Sequence, residues 1–332
     1  MEYRLLGRTG VTVSRLCFGT MSFGGDADEE TSAAMYRRCR EAGVNFFDCA
    51  NVYQKGRAEE ILGRLMAGER DELIITTKVG FAMGEGDNER GLSRRHIQRA
   101  VEGSLRRLGT DRIDVYFCHT FDPVTPMEET LAALDGLVRA GKVLYLGVSN
   151  WAAWQIARAL GISALHGLAR FAVNQPMYSL VKRQAEAEIL PLDQAEGLGV
   201  ISYSPLGGGL LSGKYRGGQE PQATRLVANP VYHARYGDQI YHEVTERFIA
   251  YAQANAVHPV TLAVAWVKGH PAITAPIIGA RNLEQLEPAL AAADLNLSAE
   301  QRAEISALGP EPAPATDRSE EKQGVRYRGA VK

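Results

Sequence analysis

A closed (β/α)8 barrel, preceded by a β-hairpin and carrying a long loop after its seventh strand, is the fold class this sequence predicts. Short runs of β-branched and aromatic residues alternate with longer segments of helical period along nearly the whole chain, the pattern of parallel strands joined by helices. The runs number eight. The chain has 332 residues, more than the ~250 typical of that barrel, which leaves room for insertions.

Taken in order, Tyr3 to Val13 forms two alternating runs around a Gly-Arg-Thr-Gly turn, read as a hairpin that plugs the bottom of the barrel. The strand candidates are Leu16 to Gly19, Asn45 to Asp48, Leu73 to Lys78, Ile113 to Cys118, Val143 to Ser149, Phe171 to Gln175, Val200 to Tyr203 and Ile273 to Ile278. Between them Thr31 to Ala42, Ser93 to Leu108 and Met127 to Ala140 are apolar at i, i+3 and i+4 and stop against Gly43, Gly109 and Gly141, as amphipathic helices do. Gly207 to Asp238 is rich in Gly, Pro and basic residues and too long for a plain connector, so it reads as a functional inserted loop. After Leu308, Pro, Ala and alternating charges take over, and residues 309–332 read as a flexible tail on one barrel domain spanning 1–332.

Charge and composition exclude other classes. Lys and Arg total 37 against 39 Asp and Glu, a net charge of −2, so no strong field recruits nucleic acid or an anionic membrane. Hydrophobic residues make up 45% of the chain, enough for a well-buried core. The first residues carry charges and no apolar leader, and no stretch approaches the ~18 apolar residues of a membrane span. The chain therefore reads as soluble and cytoplasmic; its oligomeric state leaves no signature.

Three apparent motifs dissolve on inspection. His242-Glu243 begins like a zinc-protease motif, but Glu246 stands where the second histidine belongs. Gly207, Gly208 and Gly209 suggest a dinucleotide fingerprint, but Ser212 occupies its sixth position and the run comes late in the chain. Cys17, Cys39, Cys49 and Cys118 have no C-x-x-C spacing and read as buried thiols. No metal site is predicted.

In such a barrel the chemistry stands at the C-terminal ends of strands. Those positions hold Asp48, Tyr53, Lys78, His119, Ser149, Asn150, Gln175, Tyr203 and Ser204. Each alone has a plain reading: Lys78 a solvated strand end, Asp48 a loop cap, His119 a structural histidine, Tyr53 an amphipathic plug. Together, a carboxylate, a phenol, an amine and an imidazole at the mouth of one barrel suit proton transfer. A cation beside the phenol favours phenolate and lowers its pKa, and a carboxylate keeps the ammonium charged. Tyr53 then acts as general acid toward a developing alkoxide, and His119 orients the carbonyl. No side chain supplies hydride, so carbonyl reduction implies a nicotinamide.

With those residues in view, the chain resembles the aldo-keto reductase superfamily from about Tyr3 to Leu308. Phe47-Asp48-Cys49-Ala50-Asn51-Val52-Tyr53 is similar to the family's F-D-T-A-x-x-Y segment, with Cys49 in place of threonine. Thr77-Lys78, Cys118-His119, Gly147-Val148-Ser149-Asn150-Trp151, Asn174-Gln175, Tyr203-Ser204-Pro205-Leu206 and Ile278-Gly279-Ala280-Arg281 are similar to its later motifs, in order. The resemblance implies a catalytic tetrad of Asp48, Tyr53, Lys78 and His119, with Tyr53 the proton donor. It implies a nicotinamide resting on Tyr203 with its carboxamide held by Ser149, Asn150 and Gln175. Gly19, Thr20, Met21 and Asp48 would face the cofactor, as would Ser204, while Leu206, Gly208 and Lys214 would contact its pyrophosphate.

Gly279, Arg281 and Gln285 match the region around the adenosine ribose, where a guanidinium takes a 2′-phosphate. Arg281 thus favours NADP(H) over NAD(H), although the chain departs from the family at Ala289, where asparagine is common. Arg281 paired with a nearby glutamate on the surface is the alternative. The implied activity is reversible reduction of an aldehyde or ketone to an alcohol, with a small carbonyl or alcohol as the partner. Phe23, Tyr53, Phe81, His119, Phe121, Trp151 and the loop from Tyr232 to Tyr236 are the candidate substrate-pocket residues. A competing reading is a regulatory module like the potassium-channel β-subunits, which are similar to this family; Asn150, where those generally carry arginine, points to an enzyme. A sugar-phosphate isomerase on the same barrel would need no nicotinamide.

Overall fold

Eight parallel strands close on themselves in a computed structural model that describes residues 1–215 and 229–316. After an antiparallel hairpin of β1 (Tyr3–Leu5) and β2 (Thr12–Ser14) come β3 (Cys17–Gly19), β4 (Phe46–Asp48), β5 (Ile74–Val79), β6 (Ile113–Cys118), β7 (Val143–Ser149), β8 (Phe171–Gln175), β9 (Gly199–Ser202) and β10 (Ala275–Ile278). They pair in chain order, and β10 closes against β3. The predicted (β/α)8 barrel with its leading hairpin is the observed architecture.

The eight barrel strands are largely buried on both faces, which is why the sequence shows continuous apolar runs there instead of alternation. Phe18, Phe47, Tyr116 and Val148 pack outward in one cluster with helical residues. Cys17, Phe46, Val115, Phe117, Val173, Ile201 and Ala275 point inward, and Leu6 and Val13 of the hairpin fill the same cluster, all with no exposed surface. The hairpin is therefore the barrel's stopper, and fully burying two such side chains contributes roughly 1.5–3 kcal/mol each. It is fastened by guanidinium groups: Arg15 donates to Ile273 O at 2.9 Å and to Thr274 O at 2.7 Å, and Arg4 donates to Ile273 O at 3.1 Å.

The outer ring contains α1 (Glu29–Glu41), α2 (Arg57–Leu65), α3 (Arg94–Leu108), α4 (Met127–Arg139), α5 (Ala153–His166), α6 (Ile189–Glu196), α9 (Pro259–Lys268) and α10 (Leu283–Leu290), numbered with α7 (Pro230–Tyr236), α8 (Gln239–Ala254) and α11 (Ala299–Ser306). Local chemistry sets their ends. Asp28 caps α1 by accepting from Thr31 N, Ser93 caps α3 by accepting from His96 N, and Gly109 ends α3 in the left-handed region.

Four strands, β3, β4, β5 and β9, shift by one residue at one or both ends from the sequence-based expectation, and two features depart further. The last strand begins at Ala275, not Ile273, because Thr274 turns its N–H to Val200 O and its hydroxyl accepts from Val200 N. The described part of the loop after the seventh strand contains a 3₁₀ turn, Gly207–Ser212, and helix α7. Residues 216–228 of that loop and 317–332 of the predicted tail lie outside the described residues. Among the described residues, no helix is long and apolar enough to cross a membrane and no group of side chains is arranged to hold a metal ion. All four cysteines are free and buried.

Candidate active site

Parallel register places every second residue of a strand inside the barrel, so the last inward residues gather at its upper mouth. Lys78, on β5, is fully buried there. Its ammonium donates to Asp48 Oδ2 at 2.6 Å, to Cys49 O at 2.6 Å and to the Tyr53 hydroxyl at 3.3 Å. Asp48, at the end of β4, also accepts from Thr76 Oγ1 at 2.6 Å and Gln175 Nε2 at 2.8 Å through its other oxygen. Burial alone lowers the Lys78 ammonium, yet Asp48 and Tyr53 hold it above its ordinary value. For Tyr53 the balance reverses: burial pushes the phenol up to about 12, against the downward pull of Lys78. The expected net lowering of the tyrosine is therefore not found, because desolvation of a phenolate outweighs one ammonium at 3.3 Å.

Tyr53 is aimed by an uncommon turn. Gln54 and Lys55 both adopt left-handed conformations, at φ 49° and 54°, where residues other than glycine are strained. The helix that follows, α2, is anchored by Glu59, fully buried, which accepts from Thr77 Oγ1 at 2.5 Å and from Arg107 Nε at 2.7 Å. Thr77 faces outward beside the inward Lys78, so one strand holds both the cation and the clamp on the tyrosine's helix. Glu59 is absent from the residues singled out in the sequence; its signal there is a carboxylate interrupting the apolar face of an amphipathic helix.

The opposite wall begins with His119, after β6. Its ring meets the Phe81 ring edge-on with centroids 4.6 Å apart and the Tyr53 ring at 5.9 Å. Burial, and then the charge of Lys78, hold the imidazole well below its usual pKa, so it is neutral at pH 7. Its Nδ1 is buried without a hydrogen-bond partner. A hydrogen-bonded chain continues around the mouth. Tyr203 OH donates to Asn150 Oδ1 at 2.7 Å, Asn150 Nδ2 donates to His119 O at 2.9 Å and Ser149 Oγ at 3.1 Å, and Ser149 Oγ donates to Gln175 O at 2.9 Å.

These residues open into a cleft of about 430 Å³, within the size range of small-molecule sites. Of the sequence-predicted residues, Gly19, Met21, Asp48, Tyr53, Phe81, His119, Ser149, Asn150, Gln175, Tyr203, Ser204, Leu206, Gly208, Lys214, Gly279, Arg281 and Gln285 line it. Lys78 lies directly behind Asp48 and Tyr53. Thr20 is buried behind the wall, with both its N–H and its hydroxyl on Asp48 O at 2.9 and 3.0 Å.

Phe23, Phe121 and Trp151 require correction, because none lines the cleft. Phe23 is fully buried against Phe18, and Trp151 is packed edge-on between Phe121 and Phe171. Arg281 has a carboxylate partner, but it is Asp26 at 3.0 Å, not a glutamate. Tyr232 of the predicted Tyr232 to Tyr236 loop also lines it, and Val52, Val264, Ala289 and Arg235 are among the other lining residues. Gly208 and Gly209, at φ 66° and 99°, shape one edge; a Cβ on Gly208 would stand 2.7 Å from the Tyr236 ring, and one on Gly209 3.0 Å from the Lys214 ammonium.

Comparison with known proteins agrees with this architecture. The family model for the aldo/keto reductase family matches residues 15–310. The chain is similar to the uncharacterized oxidoreductase YrpG of Bacillus subtilis (strain 168), 38% identical over 95% of this chain and 98% of that protein. It is similar to a probable voltage-gated potassium channel subunit beta of Oryza sativa subsp. japonica, 36% identical over 89% of this chain and 92% of that one. It also resembles the norsolorinic acid reductase stcV of Emericella nidulans, 36% identical over 89% of this chain and 78% of the relative. A match over most of the length, with relatives above 30% identity on both sides of the enzyme and channel-subunit divide, places the chain plainly: it belongs to the aldo/keto reductase family.

Proposed function

We propose that this protein reduces an aldehyde or ketone to the alcohol with NADPH, and runs in reverse on the alcohol, with Tyr53 as the proton donor. The observation that carries it is the Tyr53 hydroxyl 3.3 Å from an ammonium that Asp48 holds at 2.6 Å, at the rim of an apolar cleft. A carbonyl oxygen placed between Tyr53 and His119 receives a hydrogen bond from each. As negative charge develops on that oxygen, the Tyr53 proton moves to it, and Lys78 stabilises the phenolate left behind. Burial of the pair keeps water from competing for the proton.

The residues present fit the cofactor. Gly208 and Gly209 line the cleft with backbone alone, Lys214 stands against that edge, and Ser149, Asn150 and Gln175 bring polar groups to the same cleft. Ser149, Asn150, Gln175 and Tyr203 would hold the nicotinamide, with Gly19, Met21, Asp48, Ser204 and Leu206 alongside it. Gly279, Arg281 and Gln285 would hold the adenosine ribose, and the Arg281 guanidinium, even while paired with Asp26, would take a 2′-phosphate. A bound reduced nicotinamide supplies the hydride.

The test is NADPH oxidation followed at 340 nm with a panel of carbonyls, in wild type and Tyr53→Phe. Loss of the acid should lower turnover by roughly 10²–10⁴ with the NADPH Kd nearly unchanged; comparable turnover in the variant removes Tyr53 from its role. A second reading is favoured by the potassium-channel relatives: a cofactor-binding module. Tight NADPH binding with no carbonyl turned over would support it.

A further inference from the structure

Three cationic side chains, Lys214, Arg235 and Arg281, line the cleft, whereas its one lining carboxylate among the described residues, Asp48, is committed to Lys78. Two of the three have partners or an assigned role: Arg281 pairs with Asp26 at 3.0 Å and Lys214 lies against Gly209. Arg235 has neither. It projects from α7, is partly buried, and no described carboxylate pairs with it; its guanidinium carbon lies 5.9 Å from the centre of the Tyr232 ring.

Arg235 and Tyr203 line the same cleft, and the Arg235 charge opposes the rise that burial imposes on the Tyr203 phenol. Tyr203 is joined to the His119 carbonyl through Asn150 by hydrogen bonds of 2.7 and 2.9 Å. Arg235 thus lines the cleft together with Tyr203, Asn150 and His119, whereas Arg281 turns to Asp26 in the loop after β3. A guanidinium held partly out of water, stacked on an aromatic face and lacking a counter-ion is a ready fork for an oxyanion.

We propose that Arg235 is a specificity-determining residue, and that the carbonyl substrates of this protein carry an anionic oxygen group, a carboxylate or a phosphate ester, which the Arg235 guanidinium binds. The inference rests on the reductase reading above and narrows its substrate class. Gly208, whose Cβ would meet Tyr232 and Tyr236, keeps α7 close to the cleft floor, so the guanidinium is presented on a packed helix instead of a loose arm.

The experiment compares kcat/KM for 4-carboxybenzaldehyde with that for its methyl ester, and for glyceraldehyde 3-phosphate with that for glyceraldehyde, in wild type, Arg235→Ala and Arg235→Lys. The first pair reports a carboxylate, the second a phosphate. In at least one pair the wild type should favour the charged member by about tenfold or more; that ratio should fall about tenfold in Arg235→Ala, through KM more than kcat, and recover in part in Arg235→Lys. Absence of a preference in the wild type, or equal losses for charged and uncharged members, overturns the inference. So does a rise in the NADPH Kd of Arg235→Ala as large as its loss in kcat/KM, which would make Arg235 a cofactor ligand. If no carbonyl turns over, the reductase reading fails, and calorimetric titration of NADP-loaded protein decides the anion site separately. Benzoate must then bind more tightly than benzamide and lose that advantage in Arg235→Ala; equal binding of the two overturns it.

Discussion

Replacing Lys78 with methionine removes a charge while nearly preserving volume, and its consequence follows from the contacts in the barrel mouth. The ammonium is fully buried and sits 2.6 Å from Asp48 Oδ2 and 2.6 Å from Cys49 O. Without it, the Asp48 carboxylate keeps only Thr76 and Gln175, both neutral donors on its other oxygen. Breaking a buried pair by deleting one partner costs about 3–5 kcal/mol, because the remaining charge is left uncompensated. Unfolding entropy near 2.1 cal/mol/K per residue gives about 0.7 kcal/mol/K for 332 residues. The melting temperature should therefore fall by about 4–7 °C. Asp48→Asn in the same background should recover part of the loss, with a coupling of about 1–3 kcal/mol in the double-mutant cycle. Scanning calorimetry of the four proteins at pH 7 reads both quantities. A Lys78→Met variant that melts within 1 °C or so of wild type, or a strictly additive cycle, would refute the claim that the pair is desolvated and mutually dependent.

Three further outcomes are open to direct measurement. Because burial holds the Tyr53 phenol up to about 12, the proton donor stays loaded, and kcat/KM for carbonyl reduction should stay level from neutrality to about pH 10; a fall centred near pH 7 would assign the limiting proton elsewhere. Burial raises the Asp193 carboxyl to about 7, with the Asn174 amide at 3.0 Å opposing that rise. The folded state therefore keeps a proton that the unfolded chain releases near pH 4, so stability is fully present below that pH and falls as pH rises through 7. The loss reaches about 4 kcal/mol, and Asp193→Asn should abolish it in urea denaturation across pH 4 to 8. A parallel pH dependence in the variant would exclude Asp193 as its source. Arg281→Ala should raise the Kd for NADPH at least tenfold more than that for NADH, read by fluorescence titration, whereas equal losses would leave Arg281 as no more than the partner of Asp26.

What was legible in the sequence follows from periodicity and position. Strands buried on both faces leave unbroken apolar runs, so Ile113–Cys118, Val143–Ser149 and Phe171–Gln175 match their expected bounds. Polar residues at the ends of such runs converge at one mouth, which is why Asp48, Tyr53, Lys78 and His119 are legible as one group from position alone. Aromatic residues obeyed a different rule. Phe23 and Trp151 lie beside motif residues in sequence, but large rings pack wherever apolar neighbours surround them, and both went into the wall. Long-range partners were also hidden: Asp26 meets Arg281 across the barrel's closing seam, and Glu59 meets Thr77 and Arg107, with no local spacing to announce either. The tyrosine's net shift was missed because a list of neighbouring charges omits how completely the fold removes water from them.

The hairpin stopper has a kinetic consequence. With the interior packed by inward side chains down to Leu6 and Val13, the cleft at the upper mouth has no lower exit, and two molecules meeting in it would share one doorway. Depth would then dictate sequence: the one seated further down would arrive first and depart last.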